Sequence, residues 1–376
     1  MSMRALVGAS IFDGVNLREN HALVLNGETI QAIVPASEIP TGCERKNLDG
    51  GTVLPGFVDL QVNGGGGVLF NEDTSINGLA EMAKAHATVG TRAFLPTLIT
   101  DTPERTRAAV EAVEQAIAQN IPGIVGIHLE GPHLSLARKG AHDPMLIRAM
   151  AEPDEAFLLD AAKRLPNVMV TVAPESVTPA QINRLSKAGI VVSLGHSDCT
   201  LEQAQVAFAA GARCVTHLFN AMSQLTGRAP GLVGATLAAG KISAGLIADE
   251  IHVHSNSMSV ALAAKQGPGE IFLVTDAMSP VGSHITEFQL NGRRVLRQNG
   301  RLTLEDGTLA GADLVLTQAI SNLVQNVGIS PERAFRMATS APAEVLKEPM
   351  GFGHFTKGAN ANAIWMAADF RDVVSL

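Results

Sequence analysis

Eight short apolar segments, each followed by a helix-forming stretch, constrain the middle of this chain more than any other feature. They run from Val53 to Val62, Ala93 to Thr97, Ile124 to Glu130, Val168 to Ala173, Val191 to His196, Cys214 to Asn220, Ala244 to Asp249 and Ile271 to Asp276. Ala-rich helical stretches lie between them, among them Ile76 to Val89, Glu104 to Gln119, Ala156 to Leu165 and Leu201 to Ala210. Pro103, Pro153 and Pro179 sit near helix starts, and Gly90, Gly189 and Gly211 near helix ends, where capping physics favours them. Eight strand–helix units over this length predict an α/β fold, a closed (β/α)8 TIM-like barrel. The competing architecture is an open doubly wound sheet, but no GxGxxG turn follows the first strand.

The two ends of the chain read differently. Residues 1 to about 50 are β-rich, with His21 to Leu25 and Thr29 to Val34 flanking Asn26-Gly27 and Glu28, a strong hairpin signal. This is too little chain for a core of its own, so it needs another segment. Ala363 to Met366, a strand candidate in the tail, is the natural partner. The expectation is a small β-sandwich domain from residues 1–51 and 348–376 beside a barrel from 52–347. After the eighth strand, Asn291-Gly292, Asn299-Gly300 and Asp306-Gly307 mark hairpin turns in a β-excursion. Leu314 to Val327 is then expected as the last barrel helix, and Pro331 to Leu346 as a closing one.

Composition excludes several functions. A net charge of −8 with no basic run, 4% aromatics and no Tyr disfavours nucleic-acid binding. No stretch reaches the roughly 18 uninterrupted apolar residues of a membrane span, and the first residues lack a signal-peptide apolar core. Cys43, Cys199 and Cys214 are isolated, which argues against a disulfide framework or a cysteine–zinc site. A cytoplasmic enzyme without nucleic-acid or membrane partners is expected.

In a barrel, chemistry collects at the C-terminal ends of the strands. Those ends carry Gln61 and Asn63, His128 and Glu130, His196, His217 and Asn220, Asp249, and Asp276. Glu130, His196 and His217 make a plausible site of one carboxylate and two imidazoles, which suits a borderline divalent cation such as zinc with a position left for water. Each His taken singly reads more simply as a satisfied core histidine. Asp276 beside such an ion suits a general base, and otherwise a helix cap or an ion-pair partner. The segment from Gly126 to His142 offers six ionisable candidates in all, His128, Glu130, His133, Arg138, Lys139 and His142. His128 is expected to support the site without ligating, and His133, Arg138 and Lys139 to be ordinary loop residues.

The phrases PGFVDLQVNGGGG, HLEGPHL with KGAH, LGHSD, THLFNAM with GRAPGLVG, ADEIHVH, LVTDAM and LAGADL occur in this order from Pro55 to Leu314. As a set, they make the chain resemble the N-acetylglucosamine-6-phosphate deacetylase family of the amidohydrolase superfamily. The resemblance implies hydrolysis of the acetamide of N-acetyl-D-glucosamine 6-phosphate, giving D-glucosamine 6-phosphate and acetate. It also implies Glu130, His196 and His217 as metal ligands, Asp276 as general base, and His142 as the residue polarising the acetyl carbonyl. Arg228 and His252 match phosphate contacts, with Arg228 crossing a homodimer interface into the partner's site. Asn220, Ala221 and Leu309, Ala310 and Gly311 match further sugar or phosphate contacts. By residue type alone, His142 and Arg228 would be surface residues, and only the resemblance selects His252 over His254.

Three departures from the family pattern stand out. Many superfamily members carry His-x-His on the first strand, where this chain has Gln61-Val62-Asn63. Amides are poor zinc ligands, so one divalent metal per subunit is expected, zinc first, with iron, cobalt or manganese as alternatives. Glu250 stands where the family usually has Gly, and must point away from an anionic phosphate. The tail phrase Gly358-Ala359-Asn360-Ala361-Asn362 lacks the family's usual acidic residue. The competing functions are another single-metal amidohydrolase, such as an N-acyl amino acid deacylase, and a non-catalytic barrel.

Overall fold

The structure, a computed structural model, describes residues 3–376. Eight parallel strands lie side by side in sequence order: β1 (Phe57–Val62), β2 (Thr91–Ile99), β3 (Ile127–Glu130), β4 (Val168–Val172), β5 (Val191–Leu194), β6 (Cys214–Val215), β7 (Ser243–Leu246) and β8 (Ile271–Leu273). The chain beyond β8 then meets β1. The Asp276 N–H donates to the Gln61 carbonyl at 3.0 Å and the Asn63 N–H to the Ala277 carbonyl at 2.8 Å. The sheet is therefore closed, and the (β/α)8 expectation holds.

Helices α1 (Ile76–Thr88), α2 (Pro103–Ala118), α3 (Glu152–Arg164), α4 (Pro179–Lys187), α5 (Leu201–Ala210), α6 (Gly231–Ala238), α7 (Ser255–Ala264) and α8 (Leu316–Asn322) surround it. The hydroxyls of Ser75, Thr102, Thr178 and Thr200 accept the N–H three residues on, which satisfies donors otherwise left open at a helix start. α3 begins a turn earlier than Ala156 because Pro153 is accommodated in its first turn. Beyond α8 the backbone continues as a π-helical turn, Leu323–Val327. The stretch from Pro331 forms two short helices, Pro331–Ala338 and Ser340–Val345, separated by a non-helical Thr339.

Two small sheets are built from the end segments, the first from the N-terminal segment alone and the second from both ends. One orders Thr29–Pro35, His21–Asn26, Met3–Val7 and Glu44–Asn47. The other orders Val373–Ser375, Ala363–Met366, Thr52–Pro55, Ser10–Phe12 and Leu17–Arg18. Leu6, Ile11, Leu23, Leu25, Val53 and Ala363 form a shared core. The segment expected as one strand from Val53 to Val62 is thus two. It breaks at Gly56, where a Cβ would come within 1.9 Å of Arg92 Cγ, so only glycine lets the chain pass from the small sheet into the barrel. The first hairpin turns at Gly27-Glu28, because Asn26 already pairs with Thr29.

The excursion after β8 is a four-stranded sheet of Glu287–Leu290, Arg293–Gln298, Arg301–Leu304 and Leu309–Ala312. Leu290, Val295, Leu302 and Ala310 pack on Leu69, Ile99 and Met278, which fixes this sheet over the C-terminal end of the barrel.

Candidate active site

The strands end sooner than their apolar runs suggest, because the backbone turns as it reaches the barrel mouth. His196 (φ 47), His217 (φ 28), Phe219 (φ 78), Ala221 (φ 48), Glu250 (φ 63) and Asp276 (φ 51) are all left-handed. Such conformations are unfavourable for residues other than glycine and gather where surrounding structure enforces a functional geometry. Here they follow β5, β6, β7 and β8 and turn side chains across the mouth.

Glu130, His196 and His217 converge there. Glu130 Oε1 lies 3.2 Å from His196 Nε2 and 3.0 Å from His217 Nε2, and the two Nε2 atoms are 3.1 Å apart. His196 Nδ1 is 2.8 Å from the Arg138 carbonyl. A carbonyl only accepts, so Nδ1 carries a proton, and a ring holding that single proton turns a bare Nε2 lone pair toward the other two atoms. His217 Nδ1 is buried without a partner among the described residues, and one proton on its Nε2 cannot satisfy both neighbours. Three electron-rich atoms this close fit a shared cation. Ligand distances of about 2.0–2.2 Å correspond to donor separations of about 3.3–3.6 Å in a tetrahedron, and the Nδ1–carbonyl bond is the usual outer support for a ligating imidazole. Burial would raise the Glu130 pKa, but the two imidazoles set against its carboxylate take it well below the usual carboxylate range. Burial opposes protonation of His217, yet the bond and charge of Glu130 move its pKa upward.

Asp276 is held by the residues that replace His-x-His. Gln61 Nε2 donates to Asp276 Oδ1 at 3.1 Å and reaches both Glu130 oxygens at 3.3 Å, while Asn63 Nδ2 donates to Asp276 Oδ1 at 2.7 Å. Gln61 therefore bridges the two carboxylates as a neutral donor, and Asn63 adds a second donor to Asp276. Burial, then the charge of Glu130, push the Asp276 pKa up to about 6, suited to exchanging a proton near neutrality.

A cavity of about 390 Å³ opens above these groups. Its lining includes the predicted Glu130, His142, His196, His217 and Asp276, together with Asn63. Asn220, Ala221, His252, Leu309, Ala310 and Gly311 line it as well, the last three from the excursion. Burial drives the His142 pKa well below its ordinary value, so the ring is neutral. His142, Glu130 and His196 also keep ligand atoms within 4.8 Å of one another. The set with His217 is tighter, and His142 Nδ1 is already engaged by Thr100 at 2.8 Å.

Two predicted residues lie elsewhere. Arg228 is exposed on the loop before α6 and outside the cavity. Gln61 lies beneath the lining. His252 Nδ1 donates to Asp249 Oδ2 at 2.6 Å, and Asp249 Oδ1 accepts the N–H groups of Ile251 and His252. His254 instead caps α7. Glu250 turns away from the cavity and accepts from Asn326 Nδ2 at 2.8 Å. Its left-handed φ gives the physical reason why glycine suits this position. Among loop residues given no role, Arg138 supplies the carbonyl that sets the His196 tautomer. Thr100 and Asp249, which hold His142 and His252, carried no sequence signal beyond being polar at strand ends. His128 is buried among barrel-interior hydroxyls.

Residues 52–374 match the amidohydrolase family, and residues 3–53 match the NagA composite domain. The chain belongs to the amidohydrolase family. It is therefore a hydrolase. The chain is 41% identical over 366 residues to N-acetylgalactosamine-6-phosphate deacetylase of Shewanella sp., covering 97% of this chain and 92% of that protein. It is 34% identical to N-acetylglucosamine-6-phosphate deacetylase of Haemophilus influenzae, covering 95% and 93%. The crystal structure of N-acetylglucosamine-6-phosphate deacetylase from Pasteurella multocida superposes with a TM-score of 0.93 at 36% identity, covering 99% and 97%. A mutant of the Mycobacterium smegmatis enzyme, in complex with N-acetyl-D-glucosamine-6-phosphate, superposes with a TM-score of 0.90 at 28% identity, covering 98% and 96%. No helix among the described residues is long and apolar enough to cross a membrane.

Proposed function

We propose that this amidohydrolase removes the acetyl group from N-acetyl-D-glucosamine 6-phosphate, releasing D-glucosamine 6-phosphate and acetate. The observation that carries this reading is the convergence of Glu130, His196 and His217 within 3.2 Å of one another, with Asp276 joined to Glu130 through the Gln61 amide. A single divalent ion, zinc first, would be held by the first three residues. When bound, it lowers the pKa of a water molecule and polarises the acetyl carbonyl. Asp276 accepts the proton of the attacking water and returns it to the departing amine. His142 donates a hydrogen bond where negative charge develops on the carbonyl oxygen. His252 binds the phosphate from within the chain, and Arg228 binds it from a second copy in a homodimer. Guanidinium suits that task through bidentate charge-assisted bonds. Asn220, Ala221 and Leu309 to Gly311 orient the sugar.

The division into a small domain of residues 1–51 and 348–376 around a barrel of 52–347 belongs to this reading, supported by the five-stranded small sheet that joins strands from both ends. So does a cytoplasmic location. A second substrate, the C4 epimer N-acetyl-D-galactosamine 6-phosphate, is favoured by the 41% identity to the Shewanella enzyme. One purified sample decides between them: acetate release from both phosphorylated epimers, from N-acetylglucosamine without phosphate, and from N-acetyl amino acids, beside its metal content. Preference for the glucosamine compound supports the reading and preference for its epimer selects the second. Turnover confined to N-acetyl amino acids would overturn both.

A further inference from the structure

His142 stands on a loop, yet its ring is almost fully buried, 3% exposed, and its centroid lies 4.3 Å from that of His196. What fixes it is Thr100, the residue just past β2, itself 1% exposed. The Thr100 N–H donates to His142 Nδ1 at 3.3 Å, and Thr100 Oγ1 lies 2.8 Å from the same nitrogen. A backbone N–H can only donate, so Nδ1 must present its lone pair, and in a neutral ring the proton then sits on Nε2. The reverse tautomer would set two N–H groups against each other. The hydroxyl is also confined. It lies 3.4 Å from the Glu130 carbonyl, and a Cβ at position 131 would come within 2.2 Å of it, so Gly131 makes room for it.

We infer that Thr100 is a positioning residue that locks His142 as the Nε2–H tautomer, making it a hydrogen-bond donor toward the reacting carbonyl and not a metal ligand. This rests on the deacetylase reading above. It separates two roles that distance alone leaves open, because His142 also lies within reach of the Glu130–His196 pair. A ring whose Nε2 carries a proton has no lone pair for an ion, and it has the donor that an oxyanion needs.

The test is made on zinc-loaded protein labelled with ¹⁵N-histidine. Resonances of His142 are identified by their loss in His142→Asn. The expected spectrum shows a protonated Nε2 and an unprotonated Nδ1 for His142. Thr100→Val, which exchanges the hydroxyl for a methyl group and keeps the backbone N–H, should lower kcat about tenfold to hundredfold through loss of alignment, with KM and zinc content unchanged. Thr100→Ser should restore turnover. A protonated Nδ1 or a metal-bound Nε2 in the unsubstituted protein overturns the proposal, as does Thr100→Val with unchanged kcat. If the valine variant does not fold, the unsubstituted spectrum decides alone. An Nε2–H signal in a protein that releases no acetate from either epimer would remove the substrate reading and leave the tautomer standing.

Discussion

Two sets of buried histidines occupy the same barrel and differ in whether their nitrogens find compatible partners. His128, inside the barrel, has Nε2 2.7 Å from Thr171 Oγ1 and Nδ1 3.3 Å from Thr97 Oγ1. The chain of hydroxyls continues from Thr171 to Thr216 at 2.6 Å and on to Ser193 at 2.7 Å. Hydroxyls donate and accept, so every member can be satisfied. His86, on α1, has Nε2 2.8 Å from the Gly64 carbonyl. At the mouth, His196 and His217 face a carboxylate and each other, an arrangement their own protons cannot satisfy. Burial is common to both sets. The mismatch of donors and acceptors is what marks a cation site.

The largest effect should come from removing the carboxylate of the mismatched set. Glu130→Ala is expected to lose the bound ion and all turnover, with metal content falling from one per chain to near zero. Retention of a stoichiometric ion and activity would erase the distinction between the two sets. Asp276→Asn should then keep the ion and lose about 10²–10⁴-fold in kcat, the usual range for a general acid–base group. Metal analysis and steady-state kinetics on the same sample check both halves, and near-normal turnover would remove Asp276 from its role.

Much of this was legible in the sequence. The barrel follows from eight apolar runs, and the positions of Glu130, His196, His217 and Asp276 follow from reading strand ends. The support around them was hidden for identifiable reasons. Arg138 acts through its backbone carbonyl, which every residue possesses. Thr100 acts through an ordinary N–H and a hydroxyl, 42 positions away from His142. The left-handed turns at His196, His217 and Asp276 lie in residue types that enter that region more readily than most but seldom even so, so residue type did not mark them. The break at Gly56 was equally silent, because its cause is the stem of Arg92.

The satisfied set should respond in stability and leave the chemistry intact. Thr171→Val removes the hydroxyl beside His128 Nε2 and leaves that buried atom unpaired, which costs about 1–3 kcal/mol. Urea unfolding should register this, while metal content and turnover per folded molecule stay unchanged. An equal loss of metal would mean that the two sets form one network.

The smallest effect concerns pH and uses His86, which is far enough in the chain from the proposed ligands to be read separately. Burial lowers its pKa from 6.5 to about 4, against a smaller upward pull from the Gly64 carbonyl. Between those values the unfolded chain binds more protons than the folded one, so stability rises with pH and is lost as pH falls from 6.5 toward 4. One proton taken up only by the unfolded chain costs roughly 1.4 kcal/mol for each pH unit below 6.5, so His86 contributes a loss on the order of 2 kcal/mol between pH 7 and pH 5. His86→Gln keeps a donor for the Gly64 carbonyl and cannot titrate in this range. Its unfolding free energy should therefore fall less between the two pH values than that of the unsubstituted protein. If both proteins lose the same amount, His86 is not held neutral by burial, and the contrast between satisfied and mismatched histidines rests on His128 alone.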